Sequence, residues 1–178
     1  MFQATRIRFP HEGPSVVSDK KPAPTPAASA ASAAGIGFLL RTYAHDPSVA
    51  AFGPEAAAAL GEDPRRVFKT LMAMVDGVMV AAVVPVDRRL DPKALAAFLG
   101  AKKAVMADPA AAERRTGYVL GGISPLGQRH ACPVVIDESA LGFATVLVSG
   151  GRRGLEIELS PADLARITAA RIARIAAA

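Results

Sequence analysis

Residues Val67 to Val75 and Val78 to Val86 are two apolar, β-prone runs separated only by Asp76-Gly77. An Asp-Gly pair between such runs is the strongest short-range signal for a β-hairpin. One residue fits this hairpin poorly. Alternation puts Val67, Lys69 and Leu71 on one face and Phe68, Thr70 and Met72 on the other. Burying an unpaired ammonium is costly, so Lys69 must reach a cavity or an exposed edge. The strand alone does not choose between a pocket lysine and an edge lysine that discourages aggregation.

Punctuation along the rest of the chain gives the other elements. Thr25-Pro26 reads as an N-cap with proline at the first helical position, opening an Ala-rich helix to Ala34. Phe38–Tyr43 alternates as a strand, and Pro54–Leu60 is a short helix ended by Gly61. Asp91-Pro92 opens a helix closed by Gly100, and Asp108-Pro109 opens another to about Arg115, with a short strand over Lys103–Met106 between them. Val134–Ile136, Thr145–Val148 and Leu155–Glu158 are further strands. Ser160-Pro161-Ala162-Asp163 starts a final helix whose face carries Leu164, Ile167, Ile172 and Ile175. Many short strands with short helices between them predict an α+β fold around a mixed, curved sheet.

At 178 residues the chain is expected to form one domain. Residues 1–24 stand apart: five prolines and glycines break every possible element there, and no apolar period appears. They read as a disordered or loosely docked extension, leaving 25–178 as the domain. A single cysteine, Cys132, excludes an internal disulfide and a cysteine zinc cage. The three histidines, His11, His45 and His130, have no metal-ligand spacing, so no metal and no cofactor are expected. No run approaches the ~20 apolar residues of a membrane span, and the first residues lack the apolar core of a signal peptide. The cytoplasm is the expected compartment, without a membrane partner.

The loop Gly121-Gly122-Ile123-Ser124-Pro125-Leu126-Gly127 cannot be a helix or a central strand. Its uncovered backbone N–H groups suit an anionic or carbonyl oxygen, although a tight connection between two elements would look the same. Standard catalytic motifs are missing: there is no Gly-x-Ser-x-Gly elbow, HExxH or Walker loop. Cys132 reads as a small core residue. Ser124 and Ser149 read as loop-shaping or substrate-binding rather than attacking groups, since no motif pairs either with a base. His45 and Asp46, adjacent on extended chain, point apart, and Asp46 before Pro47 reads as a turn. Positive charge comes in pairs, Lys102-Lys103, Arg114-Arg115 and Arg152-Arg153, plus Arg129. Such pairs are usually solvated surface, but several of them beside a carbonyl-binding loop also suit nucleic-acid phosphates.

Taken in order, further blocks accompany that loop: Tyr43-Ala44-His45-Asp46-Pro47, Phe52-Gly53, Val67–Leu71, Leu99–Lys103, Met106–Pro109, Thr116-Gly117-Tyr118 and Val148–Leu159. Together they closely resemble the YbaK/EbsC family of bacterial aminoacyl-tRNA editing proteins, from about Thr25 to near the C-terminus. The resemblance implies a barrel-like mixed sheet of six or seven strands flanked by helices, a fold shared with the editing insertion of bacterial prolyl-tRNA synthetases. It implies hydrolysis of a mischarged aminoacyl-tRNA, with Cys-tRNA(Pro) first. Ala-tRNA(Pro), or a non-catalytic module docking on tRNA or the synthetase, is the alternative. The implied partners are the acceptor end of tRNA(Pro) and, transiently, prolyl-tRNA synthetase.

Carried over by position, the resemblance implies Lys69, Gly121 and Ser149 as catalytic groups. Tyr43, Phe52, Thr70, Gly122, Ser124, Pro125 and Glu156 would bind substrate. By their charge rather than by carry-over, Lys102, Lys103, Arg129, Arg152 and Arg153 would meet the tRNA. Glu156 is a departure, because the family commonly has Asp there.

Overall fold

The computed structural model describes residues 24–49 and 51–178. The extension expected over residues 1–24 lies, except for Pro24, outside the described residues. In chain order the elements are α1 (Pro26–Ala33), β1 (Phe38–Thr42), α2 (Phe52–Leu60), β2 (Val67–Val75), β3 (Val78–Pro85) and β4 (Arg89–Leu90). They continue as α3 (Pro92–Leu99), β5 (Ala104–Met106), α4 (Pro109–Thr116), β6 (Val134–Asp137), β7 (Val146–Arg152), β8 (Leu155–Leu159), α5 (Pro161–Thr168), β9 (Arg171–Ala173) and β10 (Ala176–Ala177).

The Asp-Gly hairpin is the centre of the molecule. Asp76 and Gly77 both have positive φ, 45° and 87°, as a tight two-residue turn requires. The Asp76 carboxylate also accepts the N–H groups of Lys102 and Lys103, which ties the turn to the segment entering β5. Seven strands run in the order β1-β8-β7-β2-β3-β6-β9, with β5 added on β2, while β10 pairs separately with β4. This is the expected α+β class, with parallel contacts at β2–β7, β3–β6 and β6–β9 and antiparallel contacts elsewhere in the sheet.

Helix starts follow the cap chemistry. Thr25, Asp91, Asp108 and Ser160 each accept a first-turn N–H on the side-chain oxygen, and proline follows each of them. The main core combines Phe68, Met72, Val148, Ile157 and Leu164 with α1 alanines and with Tyr118, Ile123 and Leu126 of the loop region. A smaller cluster of Ala56, Ala57, Val67, Val86 and Leu147 fixes α2 to the opposite face. Cys132 is 7% exposed within the main core, as its sequence context suggested.

The final helix is shorter than its apolar spacing implied. It stops at Thr168, and Ala169 caps it in the left-handed region at φ 49°. Ile172 instead lies on β9, and Ile175 is fully buried in a third cluster with Val80, Leu95 and Val135. Buried Asp137 decides this path, because its carboxylate accepts the N–H groups of Ile175 and Ala176 at 2.9 and 2.8 Å. The largest difference at the other ends is at β7, which runs through Gly150 and Gly151 to Arg152, four residues past the expected Val148. The remaining ends shift by a residue or two, with α2 starting at Phe52, two residues before Pro54.

Candidate active site

The site follows from a fork in the sheet. β3 covers one edge of β2 along nearly its whole length. The other edge is shared: β7 pairs only at Val67 and Phe68, and β5 only from Ala73 to Val75. Between those contacts Lys69, Thr70 and Leu71 face a gap. A cavity of about 440 Å³ opens there, lined by Phe52, Gly53, Lys69, Thr70, Leu71, Val86, Leu120, Gly121, Ile123, Ser149 and Glu156, with Ala51, Pro54 and Phe68 completing its wall. A split edge explains how Lys69 and Thr70, on opposite faces of one strand, line the same space. A second cavity of about 430 Å³ lies beside Arg65, Arg88 and Arg174, but Asp87, Asp137 and Glu138 also line it, so its charges offset.

Each wall has a local cause. Phe52 stands at the first position of α2, and Gly121 passes so close that a Cβ there would lie 2.6 Å from the Phe52 ring. Gly121 also has φ +81°, a conformation that L side chains rarely adopt. A Cβ on Gly53 would lie 2.6 Å from Val86 Cγ1, so this glycine lets α2 sit against the end of the hairpin. The Arg153 guanidinium lies 4.6 Å from the Phe52 ring centroid, and its Nε donates to the Leu120 carbonyl. These contacts join the β7–β8 turn, α2 and the Gly121 loop into one rim.

Ala51, the N-cap of α2, offers no side-chain acceptor. The Phe52 and Gly53 N–H groups therefore have no side-chain cap, and the positive end of the helix dipole lies at the cavity wall that Ala51, Phe52 and Gly53 form. On the floor, Ser149 and Glu156 are direct cross-strand partners of β7 and β8. Ser149 Oγ accepts the Gly151 N–H at 3.2 Å, across the bulge that separates Ser149 from Arg152.

The polar groups of the cavity are poorly partnered. Thr70 Oγ1 is buried without a hydrogen bond among the described residues. Glu156 is 7% exposed, makes no ion pair among the described residues, and is pushed up to about 8 by burial. Burial lowers Lys69, with Asp87 opposing that shift and Arg89 adding to it, and its Nζ donates to the Val86 carbonyl at 3.4 Å as its hydrogen bond among the described residues. Burial raises the Tyr43 phenol, and the nearby Glu156 raises it further.

Of the ten residues assigned to catalysis or substrate binding, the structure brings Phe52, Lys69, Thr70, Gly121, Ser149 and Glu156 around this cavity. Tyr43 packs behind it, against the α2 cluster. Gly122, Ser124 and Pro125 do not line it. A Cβ on Gly122 would meet the Arg152 backbone, so this glycine permits close loop packing. Ser124 is fully buried and accepts the Leu126 N–H, and Pro125 faces a separate small cavity beside Cys132. Among the basic residues, Arg152 and Arg153 stand at the rim, and Arg129 packs on Gly117 one step away. Lys102 and Lys103 sit at the Asp76 turn, seven residues along β2 from Lys69, or roughly 20 Å at the usual strand rise. His45 Nδ1 bonds Glu55 at 2.8 Å, while Asp46 accepts from Ser48 as a turn residue, so the two form no dyad. Val86 and Leu120 are lining residues that sequence reasoning missed; both end apolar stretches, and only the tertiary fork brings them to the site.

The chain belongs to the aminoacyl-tRNA editing domain family, whose model matches residues 46–167. Within that class it is similar to the Enterococcus faecalis protein named "Putative Cys-tRNA(Pro)/Cys-tRNA(Cys) deacylase EbsC", at 38% identity over 120 residues, 67% of this chain and 73% of that protein. A proline–tRNA ligase of Moorella thermoacetica matches at 36% over 73 residues, 41% of this chain and 13% of the ligase. The fold matches a solved structure described as "a putative trans-editing enzyme for prolyl tRNA synthetase", with TM-score 0.76 and 24% identity, covering 86% of this chain and 96% of that one.

Proposed function

We propose that this protein deacylates Cys-tRNA(Pro), and that the substrate's own thiol is the nucleophile. The observation that carries the reading is the composition of the cavity. At about 440 Å³ it has room for an aminoacyl group, it is walled by Phe52, Leu71 and Ile123, and its lining residues include no paired nucleophile and base. Among the described residues Ser149 has no histidine partner, and Cys132 is buried in the core and does not line the cavity. A synthetic site cannot strongly reject cysteine in place of the similarly sized proline, so a second site must remove the error.

In this mechanism the thiol gives up its proton and sulfur attacks the ester carbonyl carbon. The bond from that carbon to the ribose oxygen breaks, the ribose oxygen takes a proton, and a cyclic thiolactone leaves with free tRNA. The protein supplies position and electrostatics rather than a reacting atom. Gly121 N–H and the uncapped first turn of α2 present donors to the carbonyl oxygen as negative charge develops there. Lys69 stays charged and acts on the tRNA end. The test is an S-methylated Cys-tRNA(Pro), isosteric enough to enter but unable to cyclise. It should persist while Cys-tRNA(Pro) is cleared; equal cleavage of both would overturn the thiol route and leave a direct hydrolase.

A further inference from the structure

Glu156 is the least explained group in the molecule. Its carboxyl is buried in an otherwise largely apolar cavity, a costly arrangement unless a partner arrives. Neighbouring cations are engaged elsewhere. Arg41, opposite Glu156 in the β1–β8 register, turns instead to Glu158 at 2.6 Å and Glu62 at 2.9 Å. Lys69 points to the Val86 carbonyl. Thr70 Oγ1, on the wall of the same cavity, is buried with no partner among the described residues. A nearly buried carboxyl without a hydrogen-bond partner among the described residues, and a buried hydroxyl without one, stand on two strands lining one cavity, which suits a hydrogen-bond donor on a ligand.

An aminoacyl ester carries such a donor. Its α-amino group is attached to the carbon next to the ester carbonyl, so a cavity that holds the carbonyl at Gly121 also encloses the amine. We propose that Glu156 and Thr70 form the subsite for the free α-amino group of the aminoacyl ester, so that the site accepts primary amines and rejects substrates whose nitrogen is blocked or absent. The inference rests on the deacylase reading above. The three N–H bonds of an ammonium have three acceptors available on the cavity lining: a Glu156 carboxylate oxygen, the Thr70 hydroxyl and the remaining lone pair of Ser149 Oγ. The groups facing Glu156 are Tyr43, Ser149, Thr70 and, across the cavity, Lys69. In the empty cavity burial keeps the acid protonated near neutral pH, and an incoming ammonium supplies the opposite charge that favours its ionised form.

The experiment is a cycle of two substrates and two proteins, using the full chain. Cys-tRNA(Pro) and its desamino analogue, 3-mercaptopropionyl-tRNA(Pro), are compared in wild type and Glu156→Gln. The chemical effect of removing the amine on the thiol is common to both proteins and cancels. Wild type should favour the amine-bearing substrate in kcat/KM by roughly 10- to 100-fold more than Glu156→Gln does, the range for a hydrogen bond to a charged group. Equal discrimination by the two proteins would overturn the subsite while leaving the deacylase reading intact. Failure of wild type to cleave Cys-tRNA(Pro) would overturn both. A measurement independent of the variant's folding uses non-cleavable 3′-amide analogues of cysteinyl-adenosine with and without the amine. Wild type must bind the amine-bearing one at least several-fold more tightly, and equal binding contradicts the proposal.

Discussion

Glu156 and Lys69 are both ionisable groups partly or wholly withdrawn from water, and each leads to a different experiment. Burial raises the Glu156 carboxyl from 4.5 to about 8. Above pH 4.5 the unfolded chain releases this proton while the folded protein keeps it until about 8. Stability therefore falls as pH rises through that window, by roughly 3–5 kcal/mol at most. Glu156→Gln removes the penalty. Its melting temperature should exceed that of wild type at pH 8 and approach it at pH 4.5; a constant difference across that range would refute the buried acid. The same substitution should weaken turnover, so a gain in stability would accompany a loss of function. For Lys69, burial lowers the ammonium, Asp87 opposes the shift and Arg89 adds to it; the proposed mechanism gives this lysine a positioning role. Lys69→Ala should lower kcat at least 10-fold, and Lys69→Arg should restore only part, since guanidinium keeps the charge and not the shape. Full activity in Lys69→Ala would remove the lysine from the mechanism.

At the scale of elements, the ends of the chain's elements depend on single side chains. Asp137 is the strongest case. Burial alone would raise its carboxyl, but hydrogen bonds from Ser139, Ile175 and Ala176 outweigh burial and hold it below the usual range. Its contribution is therefore present above the unfolded value and lost as pH falls through the folded one. Asp137→Ala leaves the N–H groups of Ile175 and Ala176 without their acceptor, so it should cost about 2–4 kcal/mol in a denaturant titration. A change under 0.5 kcal/mol would show that β9 and β10 are held by packing alone. Much of the fold is legible in the sequence wherever a local rule decides it: Asp76-Gly77 sets the hairpin, and Thr25, Asp91, Asp108 and Ser160 set helix starts. The tail was not legible, because Leu164, Ile167, Ile172 and Ile175 keep a helix-like spacing while a residue distant in sequence, Asp137, captures the backbone. The site divides in the same way. Lys69 stands out as a charge in an apolar strand, and Gly121 as a glycine in a loop. The isolation of Glu156 and Thr70 depends on where β7 leaves β2 and on Arg41 turning to Glu158, which no local pattern records.

For the molecule as a whole, the sheet fork sets where substrate enters and the rim sets what it meets. Arg153 lies over the Phe52 ring and bonds the Leu120 carbonyl, and the Arg152 backbone packs on Gly122 beside them. Reversing both to Glu should weaken binding of tRNA(Pro) and flatten its salt dependence, because released counterions scale with phosphate contacts. A short aminoacyl-adenosine ester should lose much less than intact tRNA does. An unchanged salt slope would assign tRNA recognition to another surface or to a protein partner. The central claim, that the cavity edits cysteine from tRNA(Pro), is tested most directly by the rate at which the wild-type chain releases labelled amino acid from Cys-, Ala- and Pro-tRNA(Pro). The account predicts release of cysteine at least 10-fold faster than alanine or proline, the margin expected when one substrate carries its own nucleophile. Faster release of alanine, or no release of cysteine at all, would contradict it.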